Sequence, residues 1–445
     1  MTSGRRGSVD GGQLLGRGER SRADAFRRSR TVGIGSQQLL RGLLRRLTHD
    51  QLTLHERIPG ASPTTTVYGG QPDDPAAPLA GVIVVHDRRA YAAAALEGSI
   101  GFGRGFIEGW WSSDDPMTVV RVLIRNMSPI DAFRNRLQRV SGPVTDRIRR
   151  RRWGDTRQRN RDDIAAHYDL GNDFFQLFLD ETMTYSCAVF PSASTSLADA
   201  SRHKYDLLID KLGLTAEHHL LEIGTGWGGL AIRAVERTGC RVTTATISAE
   251  QLREARSRIA AASVDDRVTL LDADWRDVTG IHDRVISIEM IEAVDWRDYD
   301  DYFATIERCL APGGLVAIQA ICAPDERWGR AKNKRDFIKH FVFPNGCLAS
   351  VGAIRDAVAR ATSMQVVDIE DFGSHYAETL MRWRQRFVSR IDDAKALGLD
   401  ARFCRLWEFY LASCEAAFRE RYCTVVQVVI AGGASPLHPR TGLAS

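Results

Sequence analysis

Residues 220–234 read LLEIGTGWGGLAIRA: an apolar run, a glycine-rich turn and an amphipathic continuation. The pattern predicts a strand, a tight turn and a helix, and the chain then repeats the alternation. CRVTTATIS (240–248) leads into AEQLREARSRIAAA (249–262), and RVTLLDAD (267–274) and RVISIEM (284–290) are further strands. The helical DYDDYFATIERCLA (298–311) precedes the strand GLVAIQAI (314–321). Strands joined through helices are parallel neighbours, because the crossover supplies the return path. Residues 161–433 are therefore expected to form an α/β, doubly wound, Rossmann-like sheet with its ligand crevice at the carboxyl ends of the strands. Glu222, Thr246, Asp274 and Glu292 fall at or just past such ends.

The rest of the chain divides around this sheet. Residues 1–35 are rich in Arg, Gly and Ser without a periodic apolar face, which predicts a disordered tail. A smaller N-terminal α+β domain is expected over 36–145, from the helical QQLLRGLLRRLTH through the strand-like HDQLTLHERI and GVIVVHD to GFGRGFIEGWW. Residues 146–160 read as a linker and 434–445 as a second tail. No apolar run reaches the roughly 18 residues of a membrane-crossing helix, and the first residues lack the apolar segment of an export signal, so a cytoplasmic location is expected. The eight cysteines contain no CxxC pair, which argues against both a metal site and a disulfide framework. Residues 1–160 hold 27 Arg, no Lys and 15 acidic residues, whereas the whole chain carries only +4. Such a surplus suits nucleic acid, an anionic membrane face or simple solvation, and no RNA-binding or helix-turn-helix pattern lies nearby.

Glu222 narrows the ligand. A dinucleotide places its pyrophosphate against the helix N-terminus beyond such a turn, and a carboxylate facing that site would repel it. S-adenosylmethionine has no phosphate; its sulfonium and ammonium groups are cationic and its ribose hydroxyls seek acceptors. Glycines 224, 226 and 228 would let it approach the backbone closely. Taken alone, the same glycines would make no more than a tight turn.

Several longer words carry a family resemblance: HYDLGNDFFQLFLDETMTYSC (167–187), LEIGTGWGGLA (221–231), TISAEQ (246–251), SIEMIEAV (287–294), FVFPNGCLAS (341–350) and HYAETLMRWRQRF (375–387). In these words the chain resembles the cyclopropane-fatty-acid synthase family of S-adenosylmethionine-dependent lipid methyltransferases, including the branch that forms methylene- or methyl-branched chains. The resemblance implies a class I methyltransferase sheet. It places Tyr185 and Ser186 beside the cofactor, the loop Glu222, Ile223, Gly224, Thr225, Gly226, Trp227 and Gly228 around its methionine part, Thr246, Ile247 and Gln251 at ribose or adenine, and Trp275 with Arg276 along the base. It further implies a bound bicarbonate as general base, held by the Cys187 and Ile321 backbones, Glu292 and Tyr376. Cys414 matches a cysteine sometimes called catalytic in the family, although a thiol nucleophile has no role in this chemistry and a packed helix cysteine is the better reading.

The implied reaction adds a one-carbon unit across an acyl double bond. An alkene is a feeble nucleophile, so a dry pocket must align it with the methyl donor; a cation then forms on carbon and a proton leaves. Loss from the transferred methyl closes a cyclopropane, whereas a hydride shift first gives a methylene branch. Two positions depart from the better-known members. Gln319 stands where they carry a bicarbonate-binding histidine, and an amide can donate to an anion but cannot accept a proton. Glu289 and Ala293 replace smaller or different residues, in keeping with the methylene-forming branch.

The expected partner is unsaturated phospholipid in an anionic membrane, met peripherally from the cytoplasmic face. Drawing out about eight methylenes would cost roughly 6 kcal/mol if they met water, so an apolar entrance is expected. Phe174, Phe175, Leu177, Phe178 and Leu179 suit it, and equally suit the buried side of a helix. The basic N-terminal part would add up to about 1 kcal/mol per well-placed Arg. A homodimer, and a separate reductase if the product is methylene-branched, complete the expected partners; nucleic acid does not belong among them. A methyltransferase of a soluble small molecule and an Arg-rich nucleic-acid-binding protein are the rival classes.

Overall fold

The computed structural model describes residues 30–70, 78–127 and 170–433. The linker at 146–160 with its arginine run 149–152, residues 1–29 and the tail 434–445 lie outside the described residues, as do the first three residues of the word 167–187. The chain gathers into two compact units.

The first unit is built on a four-stranded sheet in the order β2-β1-β3-β4, with β1 Gln51–Glu56, β2 Thr64–Gly69, β3 Ala80–Val85 and β4 Trp111–Ser112. The β1–β2 and β3–β4 pairs are antiparallel and β1–β3 is parallel. Alternation sets the inner face: Leu52 and Leu54 on β1 and Ile83 and Val85 on β3 are buried. At the end of β1 the Glu56 carboxylate accepts hydrogen bonds from Gln37, Arg41, Thr64 and Tyr91. Those donors hold its pKa below the ordinary value although burial alone would raise it.

The word GFGRGFIEGWW forms the helix Ser99–Ile107 and the turn into β4. Its glycines serve close packing: a Cβ on Gly101 would fall onto the Ala93 carbonyl, one on Gly103 onto the Phe337 ring, and one on Gly105 within 2.7 Å of Trp111. Two distant segments, Arg335–Pro344 and Phe387–Glu420, belong to this unit. A division into a contiguous 161–433 domain assigns both elsewhere. They join through contacts at large sequence separation: Phe409 packs on Phe102, Phe106 and Trp111, and the Glu420 carboxylate bridges Arg121 and Arg125 at 2.6 and 2.7 Å.

The second unit contains the α/β sheet, in the order β10-β11-β9-β8-β5-β6-β7. Its strands are β5 His219–Ile223, β6 Arg241–Thr246, β7 Val268–Asp272, β8 His282–Ile288, β9 Leu310–Cys322, β10 Gln365–Asp371 and β11 Thr424–Ala431. Strands β5 to β9 pair in parallel, as the strand–helix alternation predicts, while β10 and β11 complete the edge antiparallel. Successive residues feed opposite faces: Leu221, Ile223 and Val285 enter one buried cluster, Leu220 and Ile286 the other. Both faces are therefore covered, which is why these strands read as nearly unbroken apolar runs. From central β5 the chain winds out through β6 and β7, then crosses back to β8, so the strand order reverses beside the carboxyl end of β5.

Replacing Gly101 by alanine should lower the unfolding midpoint by several degrees, roughly 1–3 kcal/mol for an overpacked contact. Calorimetry of the full chain checks it; an unchanged midpoint would mean that the Ser99–Ile107 helix is free to move away.

Candidate active site

The turn after β5 is shaped by three left-handed glycines, Gly224, Gly226 and Gly228, at φ of 99°, 52° and 83°. These are conformations that other residues enter only with strain. The Gly224 and Thr225 N–H groups both donate to the Ala245 carbonyl, at 3.0 and 3.2 Å, tying the loop to β6. Glu222 lies one residue before the end of β5, 3 % exposed, and its Oε2 has no hydrogen-bond partner among the described residues. Burial pushes this carboxyl up to about 8, against the opposing pull of the Thr244 hydroxyl and the Lys204 cation. A buried acceptor lacking a donor, beside a loop that only glycines make cheaply, fits a ligand with cationic and hydroxyl groups.

Around that loop the remaining positions divide. Thr246 donates to Gln251 Oε1 at 3.1 Å and accepts from the Ser248 N–H, while Ser248 caps the helix Ala249–Ala261; together they fix the turn after β6, with Ile247 half-buried between them. Trp275 packs edge-on to Tyr302 in the core, and Arg276 lies over its ring, held by Asp274 at 3.0 Å and Asp298 at 3.1 Å. The Trp227 ring packs against Phe175 and its N–H donates to Asn172 at 2.8 Å. Phe174, Phe175 and Phe178 are fully buried, with Leu177 and Leu179 nearly so, so FFQLFL is the inner side of its segment and a wall for Tyr185. That tyrosine lies among Phe175, Phe178 and Trp383 at centroid distances of 5.5, 5.9 and 5.3 Å.

Lys204 is the residue that sequence reasoning missed. It is fully buried on the helix Leu197–Leu212, and its Nζ donates to Ser186 Oγ at 2.6 Å. Burial pulls its pKa down to about 8 while Glu289, the Cys187 thiol, Asp180 and Glu222 favour the cation. The available signal was its phase, on the buried stripe with Leu197, Ala200, Ser201, Tyr205 and Leu208.

A second carboxylate cluster lies just past the end of β8, against the last residues of β9. Glu289 Oε1 accepts from the Cys187 backbone N–H and from Gln319 Nε2, each at 2.8 Å, and its Oε2 accepts from Tyr376 OH at 2.7 Å. Gln319 Nε2 also donates to the Cys187 carbonyl at 3.2 Å. Glu292 Oε1 accepts from the Ile321 N–H, and its Oε2 has no hydrogen-bond partner among the described residues. Both carboxyls are raised chiefly by burial, Glu292 to about 8 with the Glu289 charge adding to the rise; Lys204 and the donors on Glu289 oppose the rise there. Glu289 adopts a left-handed φ of 49°, a strained conformation for a side-chain-bearing residue.

The donors expected around a bicarbonate are thus engaged by a carboxylate of the chain itself. Cys187, Gln319 and Tyr376 converge on Glu289, and Ile321 is taken by Glu292, which does not fit an added anion among the same groups. Cys414 lies on the helix Ala401–Arg419, half-buried and within the first unit, and the Cys187 thiol is buried with its pKa raised by burial, which disfavours the nucleophilic thiolate.

A mostly parallel seven-stranded sheet with a glycine turn and an acidic strand end defines a class I S-adenosylmethionine-dependent methyltransferase. Comparison with known proteins gives the family: the pattern described as mycolic acid cyclopropane synthetase matches residues 155–428, and the chain belongs to that family. It is 43 % identical over 375 residues to the tuberculostearic acid methyltransferase UfaA1 of Mycobacterium tuberculosis, covering 82 % of this chain and 87 % of the relative. It is 35 % identical over 346 residues to the cyclopropane-fatty-acyl-phospholipid synthase of Escherichia coli K12, covering 76 % and 84 %. Among solved structures, the mycolic acid cyclopropane synthase CmaA1 complexed with SAH and CTAB matches with a TM-score of 0.57 and 30 % identity, over 61 % of this chain and 98 % of that one.

Because the donor is cationic, its affinity should rise with pH as Glu222 ionises and level off above about 8. Glu222→Gln should weaken S-adenosylmethionine binding about tenfold, roughly 1.4 kcal/mol, and lose most of that rise. Titration calorimetry between pH 6 and pH 9, roughly one unit or more to either side of that midpoint, checks both; a wild-type affinity in Glu222→Gln would remove this carboxylate from the site.

Proposed function

We propose that this enzyme transfers a methyl group from S-adenosylmethionine to the double bond of an unsaturated fatty acyl chain in phospholipid. The Glu289 carboxylate takes the proton that must then leave. The observation that carries this reading is the convergence of the Cys187 N–H, Gln319 and Tyr376 on Glu289. Likeness to a tuberculostearic acid methyltransferase and a cyclopropane-fatty-acyl-phospholipid synthase supports an acyl substrate.

The cofactor supplies an electrophilic methyl group. Glu222 and the 224–228 loop hold the donor, and the rings of Tyr185, Phe175, Phe178 and Trp383 exclude water and offer π faces to a positive charge on the acyl chain. A carbon cation is so strong an acid that a carboxylate suffices as its base, provided no better nucleophile is near. The protonated thiol of Cys187 meets that condition, since a thiolate would trap the cation. Burial raises the Glu289 carboxyl, and the Lys204 charge and three donors oppose that rise, favouring the ionised form that can accept a proton. The position of proton loss then decides between a cyclopropane and a methylene branch; the latter would need a separate reductase to become a methyl branch.

Access to the acyl chain suggests peripheral contact with an anionic membrane from the cytoplasmic side. No helix among the described residues is long and apolar enough to cross a membrane. Of the +12 balance over residues 1–160, +9 falls outside the described residues.

Purified enzyme, labelled S-adenosylmethionine and vesicles of monounsaturated phospholipid should give acyl chains heavier by one CH2, read by mass spectrometry; ozonolysis separates a ring from an exocyclic alkene. Unlabelled lipid beside a methylated soluble molecule would favour the small-molecule reading. Glu289→Gln should bind S-adenosylhomocysteine normally and lose turnover by about 10²-fold or more. Stripping dissolved bicarbonate should leave the wild-type rate unchanged, whereas recovery of rate on its return would restore the bound anion as base.

A further inference from the structure

Strand β11 reads TVVQVVIA and is buried from Val425 to Ala431. Gln427 is the one polar side chain in that buried run and is 1 % exposed. Its Oε1 has no hydrogen-bond partner among the described residues, a loss of about 1–3 kcal/mol for a buried polar atom. A methionine or leucine of similar volume would avoid that loss, so packing does not account for an amide at this position.

The cross-strand register does. Gln427 lies directly opposite Gln319 of β9, which is also 1 % exposed. Gln427 Nε2 donates to Gln319 Oε1 at 3.1 Å, and Gln319 Nε2 donates in turn to Glu289 Oε1 at 2.8 Å and the Cys187 carbonyl at 3.2 Å. The direction of this chain is fixed from its far end. A carboxylate and a peptide carbonyl only accept, so Gln319 must turn its NH2 toward both. Its own oxygen then faces β11 and needs a donor, which Gln427 supplies. The unpartnered Gln427 oxygen is the end of that sequence.

We propose that Gln427 is a positioning residue for the base: its N–H locks the Gln319 amide in the orientation that presents a donor to Glu289. This rests on the reading of Glu289 as the base. When the substrate C–H bond breaks, its electron pair stays on carbon to form the ring bond or the alkene, and the proton goes to a Glu289 carboxylate oxygen. Neither glutamine gains or loses a proton. Without the lock, the Gln319 amide can turn over and offer its carbonyl to Glu289. A carbonyl there stabilises only the protonated carboxyl, which cannot take the proton.

The test is the pH dependence of kcat on unsaturated phospholipid vesicles for the full chain and Gln427→Met. Turnover rises with pH as Glu289 ionises. In the variant, the midpoint of that rise should move up by about one unit, so that kcat falls about tenfold on the acid side. Much of the loss should be recovered at high pH, and the KM for S-adenosylmethionine should stay within about twofold. In a Gln319→Met background, Gln427→Met should add no further shift, because the pair acts as one unit. An equal loss at every pH, or a wild-type midpoint while Glu289→Gln is inactive, would overturn the lock and leave the base assignment standing. Full activity of Glu289→Gln would remove the base assignment and the lock with it. Binding of S-adenosylhomocysteine and the unfolding midpoint report folding, and Gln427→Leu replaces the methionine variant should that one not fold.

Discussion

A carboxylate buried deep inside a protein is driven toward its neutral form, and around Glu289 several groups of the second unit oppose that drive. Removing its hydration favours the neutral acid. The Cys187 N–H, Gln319 and Tyr376 answer with direct hydrogen bonds, and the buried Lys204 cation adds attraction. Each compensating group depends on a different element: Cys187 on the segment after Tyr185, Gln319 on β9, Tyr376 on the helix Gly373–Ser389. The parallel sheet holds their relative positions, so the fold sets the surroundings of the carboxylate proposed as proton acceptor.

Lys204 joins the two halves of the site. Its charge favours ionisation of both Glu222, beside the cofactor loop, and Glu289, while its Nζ donates to Ser186 Oγ at 2.6 Å. Three buried acids near one buried amine cannot all ionise cheaply. Glu222 and Glu292 each keep one carboxylate oxygen without a hydrogen-bond partner among the described residues, and burial pushes each up to about 8. Glu289 differs from Glu292 in its surroundings, since three hydrogen-bond donors and the Lys204 charge oppose the rise at Glu289 while the Glu289 charge adds to the rise at Glu292.

Much of this was legible in the sequence, and the failures have physical causes. Strand–helix alternation and the word LLEIGTGWGGLAIRA give the sheet, its crevice and a cofactor loop without reference to any relative, because those patterns are local. The assembly of Cys187, Gln319, Ile321 and Tyr376 was reachable only through family resemblance, since residues 187 to 376 meet by tertiary folding. Glu289 was visible as a departure, yet its place among the anion ligands was not, because no spacing shows where a side chain will reach. Lys204 and Gln427 sit within ordinary helical and strand patterns and read there as surface or packing. The segments Arg335–Pro344 and Phe387–Glu420 join the first unit through aromatic and ionic contacts that the local sequence does not announce.

If Glu289 is the base, the chain's own carboxylate fills the place that an added anion would take. A high-resolution structure of the enzyme with S-adenosylhomocysteine, grown with bicarbonate present, tests it most directly. The Glu289 carboxylate should then lie within hydrogen-bond distance of the Cys187 N–H, Gln319 and Tyr376, with no anion among them. A planar anion bound to those three groups, with Glu289 turned away, would contradict it.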